Sequence, residues 1–209
     1  MDRAGTTFHY PNLMGRIILS ALEEIVGAAG VNTVLRLADL PEYVENYPAH
    51  NMELKIPFEK IAQIQIGLEK VYGSRGGRGM ALRMGRCCLK YGLREFGPGL
   101  GFTQASFRLL PLPGRLKIGS EALAHFFNQS SDQSVSLEND AHRIFWRIDR
   151  CPLCWKRSLE EPACHLAVGL LQEGLYWLSG GKIFAVEEIN CIARGDPACT
   201  IAIDKAPIG

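Results

Sequence analysis

The sequence has almost no charge of either sign to spare: 23 Lys and Arg stand against 22 Asp and Glu, for a formal +1 at pH 7. Nothing global in that balance calls for direct contact with nucleic acid or an anionic membrane surface. A secretory signal is lacking, because the first strongly apolar stretch, Ile17 to Leu22, is short and flanked by Arg16, Glu23 and Glu24. No run of roughly 18 uncharged apolar residues occurs, so no membrane span is expected and a cytoplasmic location is. Neither a Ser/His/Asp triad nor a paired-carboxylate arrangement stands out, and no catalytic residue is assigned. Internal repeats, low-complexity tracts and linkers are absent as well. One domain over residues 1–209 is the expectation.

What is present is an ordinary globular composition, 47% hydrophobic and 22% charged, with seven cysteines. The count is odd and the spacing uneven: Cys87 and Cys88 are adjacent, and Cys151, Cys154, Cys164, Cys191 and Cys199 follow later. Without an export signal this pattern points to thiolate chemistry rather than a disulfide framework.

The first half, to about residue 130, has helical periodicity. Leu13, Ile17, Ile18, Ala21, Leu22 and Ile25 mark a helix over Asn12 to Val26, with Gly27 and Gly30 as stops. A short helix follows from Asn32 to Asp39. Pro57 opens a third, with Phe58, Ile61, Ile64 and Leu68 on one stripe and Gly73 past its end. A fourth spans Gly79 to Phe96, Gly97 to Gly101 form a loop, and a fifth spans Leu116 to Asn128. The character then changes. Ser134 to Glu138 and Arg143 to Asp149 look like a hairpin through Asn139-Asp140. A cysteine loop leads into a helix over His165 to Leu178, and strands follow at Lys182 to Ile189 and Cys199 to Ile203. The fold class is therefore α+β: N-terminal helices, then a small antiparallel sheet with a packed helix.

The chemistry-bearing segment runs from Cys151-Pro-Leu-Cys154 through Cys164 and Glu187-Glu188 to Cys191-Ile-Ala-Arg-Gly-Asp-Pro-Ala-Cys199. Zinc takes four ligands in a tetrahedron, preferably thiolates, with a carboxylate acceptable. A CxxC turn brings two sulfurs together, and Gly195-Asp196 is a turn signal able to fold Cys199 back toward Cys191. Six residues compete for four places: Cys151, Cys154, Cys164, Glu188, Cys191 and Cys199. In a straight strand Glu188 and Cys191 would lie about 10 Å apart. They could share a metal only if the chain bends after Glu188. The alternative set uses Cys151 or Cys154 and leaves Glu188 beside the site or on the surface. A thiolate-rich set suits a closed, structural zinc. Cys87 and Cys88, on an amphipathic helix without partners, read as core packing.

The run "PACHLAVGLLQEGLYWLSGGKIFAVEEINCIARGDPACTIAI" resembles the C-terminal signature of the 4-vinyl-reductase domain family. That signature is a cysteine opening a Gly-containing helix, then Glu-x-x-Cys, then Cys-x3-Gly-Asp-x2-Cys. "GRIILSALEEIVGAAG" and "VYGSRGGRGMALRMGR" are similar to its N-terminal half, so the resemblance covers nearly the whole chain. It implies an α+β fold like haem-nitric-oxide-binding domains and a class of vesicle-tethering subunits, and a homodimer. In phenol-sensing activators the domain holds an aromatic effector beside a structural zinc. By motif position those zinc ligands are Cys164, Glu188, Cys191 and Cys199. The Cys164-to-Glu188 stretch is one residue longer here, which keeps Glu187 in play, and Cys151-Cys154 is an extra feature. Another branch is associated with bacteriochlorophyll biosynthesis and a tetrapyrrole vinyl group.

The expected function is a sensor or carrier domain binding a hydrophobic, aromatic or tetrapyrrole small molecule. Phe145, Trp146, Trp155, Tyr176 and Trp177 supply aromatic surface near the cysteines, with Trp146, Phe145 and Tyr176 assigned to the ligand pocket. The alternative is a 4-vinyl reductase or its accessory, which needs a hydride or electron source. The run Gly73-Ser-Arg-Gly-Gly-Arg-Gly79 follows a helix rather than a strand, so it reads as a helix connection and not as a dinucleotide fingerprint. Haem binding would need an axial ligand, for which His125 beside Phe126 and Phe127 is the candidate.

Overall fold

The computed structural model describes residues 7–100, 107 and 109–208. Two short strands, β1 (His9–Pro11) and β2 (Leu54–Pro57), pair antiparallel, and each ends in a proline immediately before a long helix. Pro11 and Pro57 hold φ near −61° and −58°, values shared by extended backbone and the first helical turn, so the chain passes directly from strand to helix. The helices are α1 (Asn12–Leu37) and α2 (Phe58–Phe96).

Both are broken by one glycine. Gly27 in α1 has φ 71° and ψ 166°, and Gly73 in α2 has φ 70° and ψ 169°. Only glycine takes that region without steric cost, so each helix ends there and restarts in a new direction. The stops foreseen at Gly27 and Gly73 are in place. The expected connection over Gly73–Gly79 shrinks to Gly73 alone, because residues 74–79 are already helical. By length and composition α1 could cross a membrane, contrary to expectation, and 39% of its apolar window is buried inside the molecule. Gly97–Leu100 form a 3-10 turn; the remaining residue of the predicted loop, Gly101, lies outside the described residues.

Helix α3 (Leu112–Ser130) starts at Pro113 in its first turn and precedes β3 (Ser134–Asn139) and β4 (Arg143–Arg150). After the cysteine loop come α4 (His165–Ser179), β5 (Phe184–Asn190) and β6 (Cys199–Pro207). The four strands form an antiparallel sheet of order β3-β4-β6-β5. Residues of period two on β4, Ile144, Trp146 and Ile148, turn to the core, while Phe145 and Arg147 take the other face. Register aligns Ile148 with Cys199 and puts Trp146, Ile201 and Glu188 in one row across β4, β6 and β5.

Helix α4 crosses α2 at backbone contact. A Cβ on Gly85 would sit 2.0 Å from the Leu166 carbonyl oxygen, and one on Gly169 would sit 2.0 Å from that of Leu82. Two glycines facing each other's helix let the axes approach more closely than any side chain allows. That approach places the N-terminal end of α4 against the cysteine loop.

Candidate metal centre and ligand cavity

Five cysteines converge. Cys151 directly follows β4, and the turn through Cys154 is pinned by Gln65, whose Nε2 donates to the Leu153 carbonyl at 3.4 Å. Further along this loop, Leu159 N–H donates to the Ala193 carbonyl at 2.8 Å and Arg157 pairs with Glu69 at 2.6 Å. Cys164 stands just before α4, its carbonyl accepting the Ala167 and Val168 N–H groups. Cys191 and Cys199 are brought together by the turn between them, where Asp196 Oδ2 accepts the Cys191 N–H at 2.8 Å. The Ile192 N–H points at Cys199 Sγ, 3.3 Å away.

The sulfurs are close and sealed. Sγ separations are 3.4 Å for Cys151–Cys164, 3.3 Å for Cys154–Cys199, 3.6 Å for Cys164–Cys199 and 4.0 Å for Cys191–Cys199. All five residues have no measurable exposure. A tetrahedral ion with bonds of about 2.3 Å holds its sulfurs about 3.8 Å apart, so these spacings bracket those of a ligand shell. The described residues contain two sets whose donor atoms all lie within 4.8 Å of one another: Cys151, Cys154, Cys164 and Cys199, and Cys164, Glu188, Cys191 and Cys199. The cluster can hold a metal.

Glu188 joins because β5 does bend. Its pairing with β6 slips between Glu188 and Asn190, which removes the straight-strand separation from Cys191. Glu188 Oε2 accepts the Cys164 N–H at 2.7 Å, and Oε1 is buried with no partner. Burial, reinforced by the neighbouring Cys191, pushes this carboxyl up to about 9. A buried oxygen without a hydrogen bond needs a proton or a cation. Glu187 is exposed on the other face. Within the cluster the Cys151 thiol, followed by those of Cys164, Cys191 and Cys199, donates toward Cys154 and holds it as a thiolate far below the usual thiol range. Crowded sulfurs that favour the anion are the donor set a soft divalent ion requires.

Next to the cluster lies an apolar cavity of about 1070 Å³ counted to its open mouth. Its walls come from α1, α2, α3, α4 and β4, with Phe96, Phe126, Phe127 and Trp146 among them. Phe96 and Phe126 have ring centroids 4.6 Å apart, and Phe127 meets Trp146 edge-on at 6.3 Å. A polar pair interrupts the hydrocarbon: Tyr10 Oη donates to Gln133 Oε1 at 2.5 Å. Burial, with Cys151, Cys88 and Cys164 nearby, raises the Tyr10 phenol well above its usual range, so it stays a protonated donor. Leu153 and Leu166 belong both to this wall and to the immediate sequence neighbourhood of Cys154 and Cys164.

The expected pocket residues divide. Trp146 is 2% exposed and lines the cavity. Phe145 does not, since strand alternation turns it to the opposite face of β4, and Tyr176 is 48% exposed on the outside of α4. Trp155 packs in the core, edge-on to Phe8 and Phe58 at 5.4 and 5.8 Å, whereas Trp177 does reach the cavity. His125 is exposed, so the imidazole considered for haem points away from the cavity. Cys88 is buried as foreseen and also lines the cavity wall, whereas Cys87 is half-buried near Glu24. Tyr10, Gln133 and Phe96 went unnoticed in the sequence. Only the neighbouring Phe126-Phe127 pair carried a signal.

This architecture has counterparts among solved proteins. An Fe(II) unliganded H-NOX protein from K. algicida superposes with a TM-score of 0.57 at 11% identity, over 93% of this chain and 95% of that one. The chain thus has the mixed helix-and-sheet fold of H-NOX proteins. The phenol-responsive sensory domain of the transcription activator PoxR, solved with phenol, gives 0.48 at 18% identity over 69% and 73%. Residues 144–205 match the model of the 4-vinyl-reductase (4VR) domain, the family that the C-terminal motif resembles. Among curated relatives, an uncharacterized protein MJ0745 of Methanocaldococcus jannaschii is 30% identical over 82 residues, which are 39% of this chain and 44% of that protein. The match therefore spans less than half of that relative's length.

Proposed function

We propose that this chain is a small-molecule-binding domain of the sensor or carrier type, with the cavity beside Trp146 taking a hydrophobic aromatic ligand and the thiol cluster holding structural zinc. The observation that carries this reading is the cavity itself. It is nearly all hydrocarbon and aromatic surface, with one convergent polar pair, Tyr10 and Gln133. Ligand sites have that composition, an apolar envelope with few oriented polar groups. A planar ring bearing one hydroxyl suits it: the ring lies among Phe126, Phe127 and Trp146, and the hydroxyl exchanges hydrogen bonds with Tyr10 and Gln133. Zinc is supported by the donor chemistry, because buried thiolates with one carboxylate and no open polar approach favour a closed site.

H-NOX proteins include iron-bound members, yet among the described residues lining this cavity there is no histidine. Support for haem held through an imidazole is therefore missing, and a metal-free aromatic fits the wall better. The reductase reading has no comparable support, since residues 74–79 are helical and form no phosphate cradle. The test is a thermal-shift titration with phenol, substituted phenols and protoporphyrin. A phenol at about 100 times its Kd should add about 2.7 kcal/mol, a rise of roughly 5–10 °C for a chain of this length. If no aromatic in the series moves the melting point, the cavity reading fails.

A further inference from the structure

The six donors form two overlapping quartets, and no single ion uses them all. An ion in the quartet Cys151, Cys154, Cys164 and Cys199 leaves Cys191, sealed from solvent, and the unpartnered Oε1 of Glu188 beside it. An ion in the other quartet strands the Cys151 and Cys154 sulfurs instead, equally sealed. Either choice buries groups with nothing to satisfy them, which protein interiors avoid.

We propose that the cluster is binuclear: two divalent ions share the Cys164 and Cys199 sulfurs as bridges. Cys151 and Cys154 complete one tetrahedron, Glu188 and Cys191 the other. This rests on the zinc reading above and deepens it from one ion to two.

Three observations meet in this arrangement. The first is the count, four donors for each ion with none left over. The second is spacing. Two tetrahedra joined along an edge, with bonds of about 2.3 Å, hold the shared sulfurs within about 3.8 Å of each other, and Cys164 and Cys199 are 3.6 Å apart. The terminal sulfurs of Cys151, Cys154 and Cys191 lie 3.4, 3.3 and 4.0 Å from a bridging one. The third is the carboxylate. Its Oε2 is engaged by the Cys164 N–H, which fixes the group and leaves Oε1 as the free donor. Charge agrees as well. Five thiolates and a carboxylate carry −6, and two divalent ions reduce that to −2, the same residue of charge as a single tetrathiolate zinc. One ion would leave −4 in a sealed volume, or force protons back onto donors.

The test is metal content of the full-length chain, prepared with zinc and reductant, by elemental analysis and native mass spectrometry. Two zinc ions per chain are expected. Replacing zinc with cadmium-113 should give two resonances that split each other through the shared sulfurs. One ion per chain overturns the binuclear site and leaves the single-zinc reading standing; no ion overturns both. Two ions without mutual splitting would overturn the bridging. The double substitution Glu188→Gln and Cys191→Ser should lower the content to one ion. If that variant does not fold, the count and spectrum of the unaltered chain decide.

Discussion

Gly169→Ala sets two effects of opposite sign against each other. In the interior of an exposed helix, alanine for glycine is favourable by about 1 kcal/mol. At Gly169 the added Cβ would stand 2.0 Å from the Leu82 carbonyl oxygen and 2.8 Å from its carbon. Both are backbone atoms and cannot rotate away. Ordinary contact begins near 3.4 Å, so α4 must lift from α2 by more than an ångström over the turn that carries Leu166 and Leu170, both cavity-lining. Overpacking of this kind costs about 1–3 kcal/mol, occasionally more. With two rigid helices the upper end applies, and the net loss after the propensity gain is about 2 kcal/mol. For a chain of this length that lowers Tm by roughly 4–8 °C. The internal control is Gly79→Ala on the same helix pair, where nothing lies within 4 Å of the added carbon and a gain of up to about 1 kcal/mol is expected. Both are read by urea unfolding. Equal stabilisation of the two variants would refute the close crossing.

Three further outcomes follow. Stripping the metal with a strong chelator should cost at least about 3 kcal/mol, because it leaves buried thiolates without a counter-charge; an unchanged unfolding curve speaks against any ion in the cluster. Trp146→Ala removes one of the largest fully buried side chains and should cost about 3–5 kcal/mol, with loss of aromatic binding in calorimetric titration. Tyr10→Phe keeps the wall apolar but removes the donor to Gln133. It should weaken phenol binding by about tenfold, the scale of one hydrogen bond, while leaving binding of benzene or toluene unchanged.

Much of the fold is legible in the sequence because the long helices are periodic and their ends are chemical. Ile17, Ile18 and Leu22, or Ile61, Ile64 and Leu68, mark faces that the structure buries, and Gly27 and Gly73 break the helices where left-handed backbone is needed. Strands β1 and β2 leave no such trace. They are three and four residues long, and their pairing joins positions almost fifty residues apart, so tertiary contact rather than local preference creates them. The cysteine cluster was visible as composition and spacing, but Glu188 reaches it through a register slip that periodicity does not encode. The choice between Phe145 and Trp146 turned on which face of β4 meets the helices, and alternation alone gives two faces without labelling them. Tyr176 was misplaced for a related reason: α4 is apolar on most sides, so its inner face becomes evident only once α2 lies against it.

Both polar atoms offered to a bound molecule, on Tyr10 and Gln133, and the phenyl rings of Phe96, Phe126 and Phe127 lie outside residues 144–205, whereas all six sulfur and carboxylate donors lie inside them. The frame and the taste of the domain are thus written in separate stretches of chain. Substitutions in the helical half can reshape what is admitted without touching an ion ligand, so a single scaffold can serve chemically unrelated guests.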